Sequence, residues 1–202
     1  MNIKTVVVGK LLNNTYIITT KENNAVIIDP GIEFDKIEKA LLDTGASLKY
    51  IIFTHGHYDH TGAAEELSAA WPGVPVYLNR RDGGGSDPYM NHLFPAVPGA
   101  KDYDEGDEIT VGSLTVRVLA TPGHSEGSVT LRCGDVLFCG DTLFAGSCGR
   151  TDFPGGSMQT ILKSLKRLGE LEGDYQVCPG HMSTSEMSRE RMSNPYLMQA
   201  LK

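Results

Sequence analysis

Thr54-His55-Gly56-His57-Tyr58-Asp59-His60 places three of the chain's 6 histidines in one short run. The run follows Tyr50-Ile51-Ile52-Phe53, an apolar stretch that reads as a buried strand, and precedes a stretch whose spacing predicts a helix over 63–70. Alternate residues of extended backbone share a face, so His55 and His57 leave on the same side. Asp59 and His60 fall at the turn into the helix, where adjacent side chains diverge and address a second point. One loop thus offers two imidazoles in one direction and a carboxylate with an imidazole in another. Gly56 and Gly62 leave the backbone free to turn. Histidines clustered this tightly are seldom a packing choice; they are a ligand set.

Outward from this run, the chain alternates strands and helices. Upstream, β-rich runs at 5–8, 15–19 and 25–28 are divided by Asn13-Asn14 and Asn23-Asn24, which suit tight turns, so an antiparallel meander is expected. Asp29-Pro30-Gly31 ends it. Apolar residues at Ile37, Ala40 and Leu41 give helical spacing over Phe34–Leu42, closed by Gly45. Downstream, a strand at 74–78 leads into residues 79–106, an irregular segment with Gly83-Gly84-Gly85 and three prolines, expected to be a functional flap or a mobile loop. Strands follow at 114–119, 128–132 and 136–139, then a helix over 157–168, a strand at 175–178 and a helix over 186–192. Interleaving of this kind gives an α/β (α+β) class, with residues 1–202 read as one domain.

Composition narrows the function. Hydrophobic residues make up 40% and charged residues 21% of the 202, enough to bury a core and too apolar for a disordered chain. Lys and Arg number 18 against 25 Asp and Glu, and the formal charge of -7 argues against nucleic-acid binding and against docking on anionic membranes. No run approaches the ~18 apolar residues of a membrane span. The start, Met1-Asn2-Ile3-Lys4-Thr5, carries no secretory pattern, so a cytoplasmic protein is expected. Cys133, Cys139, Cys148 and Cys178 include no C-x-x-C pair and read as packing residues in a reducing compartment.

Three further donors stand at strand exits: His124 after Thr121-Pro122-Gly123, Asp141 after Cys139-Gly140, and His181 after Pro179-Gly180. Each alone is as well read as a turn residue, and His92, within the irregular segment, stays at that reading. Loops at one sheet edge converge, however, so all seven donors can share a pocket. Imidazole with carboxylate and no thiolate suits zinc first, with iron or manganese open. Seven donors exceed one tetrahedral shell, and two metals about 3.5 Å apart with a bridging carboxylate absorb the excess.

His55-x-His57-x-Asp59-His60 followed by His124, Asp141 and His181 resembles the metallo-β-lactamase superfamily, nearly end to end. The resemblance implies a four-layer αββα sandwich with metals at one rim. It implies that His55, His57 and His124 hold one metal, that Asp59, His60 and His181 hold the other, and that Asp141 bridges them; Asp59 and Asp141 are its catalytic carboxylates. Asp141, Thr54 to Ala64, the run Gly149-Arg150-Thr151-Asp152-Phe153-Pro154-Gly155-Gly156, and Glu190-Arg191 with Asn194-Pro195-Tyr196 look like the short bacterial glyoxalase II (hydroxyacylglutathione hydrolase) branch. Gly-Arg-Thr-Asp-Phe is shared with persulfide dioxygenases, and Arg150 with Asp152 is read as a structural ion pair. The chain is expected to lack the C-terminal glutathione-binding helical domain of the longer enzymes.

The expectation is a binuclear metal-dependent hydrolase, a thioesterase acting on a small-molecule S-acylglutathione-type thioester. A pair of cations supplies water acid enough to be hydroxide at neutral pH and polarises the acyl carbonyl. A mononuclear iron persulfide dioxygenase would leave Asp59, His60 and His181 as an unused second site; a non-catalytic scaffold would leave all seven. Lactone, β-lactam and phosphodiester hydrolysis use the same ligands with different loops. Arg80, Arg81 and Tyr89, in the irregular segment, are the candidates for substrate binding.

Overall fold

The computed structural model describes residues 1–84 and 88–202. The meander is present: β1 (Asn2–Val8) pairs antiparallel with β2 (Asn13–Thr19), and β2 with β3 (Asn24–Ile28). Asn13 and Asn14 do not form its first turn as the sequence suggests. They are buried inside β2, and the turn is Gly9 to Leu12, where Gly9 and Leu12 both take positive φ. After α1 (Phe34–Leu42), β4 (Ser47–Ile52) adds parallel to β3. The ligand run follows, its second half forming the one-turn helix α2 (Tyr58–Thr61) ahead of α3 (Ala64–Ala70). β5 (Val76–Tyr77) closes the first sheet, whose order is β1-β2-β3-β4-β5.

The described parts of the segment, 79–84 and 88–106, are more ordered than the composition suggests, while Gly85 of the glycine run lies outside the described residues. The segment holds a 3₁₀ turn at Arg80–Asp82 and the helix α4 (Pro88–Leu93), and its far end bridges Lys101 to Tyr77. The second sheet is built from β6 (Glu108–Val111), β7 (Leu114–Ala120), β8 (Val129–Cys133) and β9 (Val136–Gly140), a meander with antiparallel neighbours. The hairpin β10 (Leu143–Phe144) with β11 (Ser147–Cys148) follows, then α5 (Met158–Gly169). β12 (Gln176–Pro179) pairs parallel with β9, and β13 (Ser185–Glu186) pairs antiparallel with β12. Two helices end the chain, α6 (Met187–Ser193) and α7 (Pro195–Ala200); Asn194 caps the second by accepting from the backbone N–H groups of Tyr196 and Leu197.

The layers follow from strands that are apolar on both faces. In β3, Ala25 and Ile27 face α1 and α3, while Val26 and Ile28 face the other sheet. In β9, Val136 and Phe138 face the first sheet, while Leu137 and Cys139 pack with Leu165 and Leu168 of α5 and Leu197 of α7. Period-two alternation without a polar face requires cover on both sides. Three stacked cores result, which is the helix–sheet–sheet–helix order of the αββα fold.

β7 and β9 are both antiparallel to β8, and β12 is parallel to β9, so the C-terminal ends of all three leave the second sheet at one edge. Hydrogen bonds join that edge to the first sheet: Val129 N–H donates to the Thr54 carbonyl, Asn14 N–H to the Gly180 carbonyl, and the Tyr16 hydroxyl to the Pro179 carbonyl. Both rims therefore meet at one place. No helix among the described residues is long and apolar enough to cross a membrane.

Candidate metal centre

The loop after β4 delivers His55, His57, Asp59 and His60 to that junction; the exits of β7, β9 and β12 deliver His124, Asp141 and His181. Six of the seven are buried, and His181 is half-buried. Crowding explains the glycines at the exits. A Cβ on Gly180 would collide with Asp141 Oδ1 and lie 2.6 Å from His60 Cε1, and one on Gly140, at φ 47, would lie 2.7 Å from Thr54 Cβ.

The donor atoms form two groups. In the first, those of His55, His57 and His124 lie within 4.8 Å of one another, with His57 Nδ1 2.8 Å from His124 Nε2. In the second, His181 Nε2 is 3.3 Å from His60 Nε2 and 3.2 Å from Asp59 Oδ2. Asp141 stands between them. Its Oδ1 is 3.4 Å from His60 Nε2, and its Oδ2 is 3.5 Å from His124 Nε2 and 3.4 Å from His181 Nε2.

Partners on the far side of each ring fix which nitrogen faces the centre. His124 Nδ1–H donates to the Arg150 carbonyl at 2.8 Å, and His181 Nδ1–H to the Leu11 carbonyl at 3.0 Å. His60 Nδ1–H donates to Asp29 Oδ2 at 3.0 Å. The Thr54 hydroxyl donates to the same Oδ2, which leaves its lone pair to accept from His55 Nδ1 at 3.2 Å. His55, His60, His124 and His181 therefore turn Nε2 lone pairs inward. Two such lone pairs, on His60 and His181, face each other at 3.3 Å, which is repulsive unless a cation or a proton lies between them. His55 Nε2 and Asp141 Oδ1 are buried without a hydrogen bond. Buried polar atoms left this way cost about 1–3 kcal/mol each, a penalty that bound cations would remove. The donor set fits metal ions.

The electrostatics agree. Burial holds the His55 imidazole well below its ordinary range, with His60 and His57 adding to it, and burial pushes His57 down to about 3. Both are neutral donors. Burial acts against the Asp141 carboxyl, but His60, His124 and His181 outweigh it and keep it well below the usual carboxylate range. Asp59 is lowered in the same way, burial being outweighed by the His181 hydrogen bond and by His60. Burial opposes a proton on His60, yet Asp141 and Asp29 raise its pKa well above the ordinary value; Asp59 and Asp141 raise that of His181 against burial. The carboxylates thus favour positive charge at His60 and His181, as they would favour a cation.

Two carboxylates that the sequence did not single out hold the scaffold. Asp29, in the left-handed conformation at the exit of β3, accepts from Thr54 N–H, the Thr54 hydroxyl and His60 Nδ1. Its position at an apolar strand's exit, like those of Asp141 and His181, was the available signal. Asp82 accepts from the backbone N–H groups of Gly56 and Gly127 and from the Ser125 hydroxyl, tying the His55–His57 loop to the His124 loop. Burial raises its carboxyl despite those donors. Nothing in Asn79-Arg80-Arg81-Asp82 marks Asp82 as buried.

A cleft of about 600 Å³ opens over the centre, walled by Leu93, Phe144, Phe153 and Met182 with Arg150 at its edge. Phe94 and Phe153 pack on the His57 ring, at 4.4 and 5.8 Å between centroids. Arg150 makes the expected ion pair, with two bonds of 2.8 and 2.7 Å to Asp152, and stacks on Phe153 at 3.8 Å. Arg80 and Arg81 are outside this wall. Arg80 lies 3.6 Å from Asp102 and Arg81 2.9 Å from Asp104. Tyr89, exposed on α4, is outside the wall as well. His92 stacks on Tyr58 at 5.9 Å. The cysteines are free thiols, and burial raises Cys148 to about 11 and Cys178 to about 12.

The family model for the metallo-beta-lactamase superfamily matches residues 8–181, a span that begins in β1 and ends on the last of the seven donors. The chain belongs to this superfamily. Its His and Asp groups are able to bind metal ions. Among curated relatives, the hydroxyacylglutathione hydrolase GloC of Haemophilus influenzae is 32% identical over 98% of this chain and 98% of its own. Among solved structures, the BLEG-1 B3 metallo-beta-lactamase superposes with a TM-score of 0.87 at 29% identity, covering 97% of this chain and 99% of that one. TTHA1623, solved in a di-iron-bound form, superposes at 0.83 with 35% identity over 96% of this chain and 99% of that one.

Proposed function

We propose that the chain is a binuclear metal-dependent hydrolase of glyoxalase II type, cleaving small-molecule thioesters of the S-acylglutathione kind. The observation that carries this reading is the position of Asp141, whose two oxygens reach toward both donor groups. His55, His57 and His124 would hold one ion, Asp59, His60 and His181 the other, with Asp141 shared. Zinc suits these donors, and the di-iron form of TTHA1623 makes iron the first alternative. Bound there, the ions would supply an acidic water and a Lewis acid for the acyl carbonyl.

The remaining work falls to the chain. Asp29, the Thr54 hydroxyl and the carbonyls of Arg150 and Leu11 keep four imidazoles, those of His60, His55, His124 and His181, in one tautomer. Asp59, open to the cleft and kept anionic, is placed to orient an incoming water. Leu93, Phe144 and Phe153 narrow the approach and exclude bulk solvent. A thiolate departs without protonation, because its pKa of about 8.5 makes it a good leaving group. No general acid is required for such a leaving group.

Similarity to GloC, at 32% identity over 98% of its length, supports the thioesterase reading. The test pairs metal content by mass spectrometry with rates on thioester, lactone, β-lactam and phosphodiester substrates. Close to two metals per chain and a preference for S-lactoylglutathione over the other classes are expected. Full activity with one tightly held iron, or β-lactam turnover exceeding thioester turnover, would overturn the reading.

A further inference from the structure

A second depression, of about 460 Å³, lies against the metal cleft and is lined by Val8, Gly9, Leu11, Ile32, Tyr58 and Asp59, with Lys10 and Glu33 at its mouth. Leu11, Tyr58 and Asp59 line both spaces, so the two adjoin at a candidate metal ligand. Its floor is built by close approach. A Cβ on Gly62 would stand 3.0 Å from Ile32 Cγ1, and one on Gly31 would lie 2.7 Å from Asn13 Nδ2 and clash with the Asp59 carbonyl. The β3–α1 turn is thereby pressed against α2. The Glu33 carboxylate accepts from Gly9 N–H at 2.9 Å, which pins the β1–β2 turn over the same groove.

Beside the charged Lys10 and Glu33, three apolar side chains are exposed here. Leu11 is 54% exposed and Ile32 44%, and Leu12 beside them is 62% exposed at φ 57, in the left-handed region that leucine disfavours. Apolar side chains presented side by side to water mark a binding surface. The volume falls in the range of small-molecule pockets, about 300–1,000 Å³. The groove starts at Asp59, where the reacting carbonyl would be held.

We propose that this groove receives the acyl side of the substrate, and that the substrate class is thioesters with an extended apolar acyl chain rather than a short hydroxyacyl group. The inference rests on the thioesterase reading for the identity of the reacting bond. The chain's residues offer the acyl tail Val8, Leu11, Ile32 and the Tyr58 ring, with Asp59 at the end that adjoins the metal cleft. Hydrolysis itself is unchanged: the C–S bond breaks, water supplies the oxygen of the carboxylate, and the thiolate leaves.

The test uses a thioether, which cannot be hydrolysed, so that binding is read apart from turnover. Calorimetric titration of the metal-loaded protein with S-octylglutathione and S-methylglutathione should show the octyl form at least ~10-fold tighter, through methylene burial. Ile32→Glu should reduce that ratio below ~3-fold and leave S-methylglutathione affinity unchanged. Ile32→Ser, a milder change, should give an intermediate ratio and serves if the glutamate variant does not fold. Equal affinities in the unaltered protein, or a ratio that neither variant lowers, would overturn the proposal. Hydrolysis of octanoyl- and acetyl-glutathione separates the two readings. Octyl-selective binding without thioester turnover would remove the thioesterase and keep the groove; turnover indifferent to chain length, with equal binding, would do the reverse.

Discussion

Asp29 and Asp141 are the two side chains on which the arrangement of the centre depends most. Asp29 satisfies three donors, of which two belong to Thr54 and one to His60. Asparagine has its size but turns an N–H₂ toward one of those donors. Asp29→Asn is therefore expected to cost about 1–3 kcal/mol in denaturant unfolding and to weaken metal retention about 10–100-fold in chelator competition. Unaltered retention would mean that the carboxylate does not orient His60. Asp141→Ala removes the group common to both donor sets, so metal analysis should show loss of bound ion and the rate should fall at least ~10²-fold. Cys148→Ser should change neither, because its thiol carries a proton up to about pH 11 and makes no contact with the donor groups beyond sharing the cleft wall.

Element placement is sealed by contacts remote from the chemistry. α5 is capped by Ser157, whose hydroxyl accepts from Thr160 N–H, and is tied to β7 by Arg167, which pairs with Glu105 at 2.6 Å and donates to the Ala120 carbonyl. Arg167 holds the Glu105 carboxyl below its ordinary value. A depressed carboxyl stabilises the fold above its unfolded pKa, and that contribution is lost as pH falls through the folded value. The pair is part-exposed, so solvent reduces its worth to about 0.5 kcal/mol. Glu105→Gln should thus lower the melting temperature slightly at pH 7, and the difference from the parent should shrink as pH falls below the ordinary carboxyl range. A difference that persists at acid pH would show that shape, not charge, holds β7 to α5.

At the scale of the whole molecule, the centre exists because two sheets pack with their rims in register. Phe138 is fully buried between them, edge-on to Tyr16 at 5.1 Å, three residues before Asp141. Phe138→Ala should cost about 3–5 kcal/mol in metal-free protein. It should also lower metal affinity, since β9 would be free to shift against β4. Stability loss with metal affinity intact would show that the inter-sheet hydrogen bonds hold the rim without the core.

The sequence by itself determined the local features: the fully apolar strands, the helix over Phe34–Leu42, and the gathering of His55, His57, Asp59 and His60 in one loop after a strand. Each depends on backbone periodicity over a few residues. His124, Asp141 and His181 were legible as strand exits, and as ligands through their family resemblance. Only the tertiary structure decided how the set was assembled. Asn13 and Asn14 look like turn formers, but Asn14 is drawn into β2 to donate to the carbonyls of Pro179 and Met182, partners more than 160 residues away. Asp82 sits in a run that reads as solvated, yet it is buried because the backbone amides of two distant loops need an acceptor. Arg80 and Arg81 are candidate substrate contacts in the sequence, and the fold sets them outside the cleft wall, beside Asp102 and Asp104 and still exposed. Long-range hydrogen bonds of this kind leave no local periodicity, because each donor is matched to its acceptor only when the two sheets close.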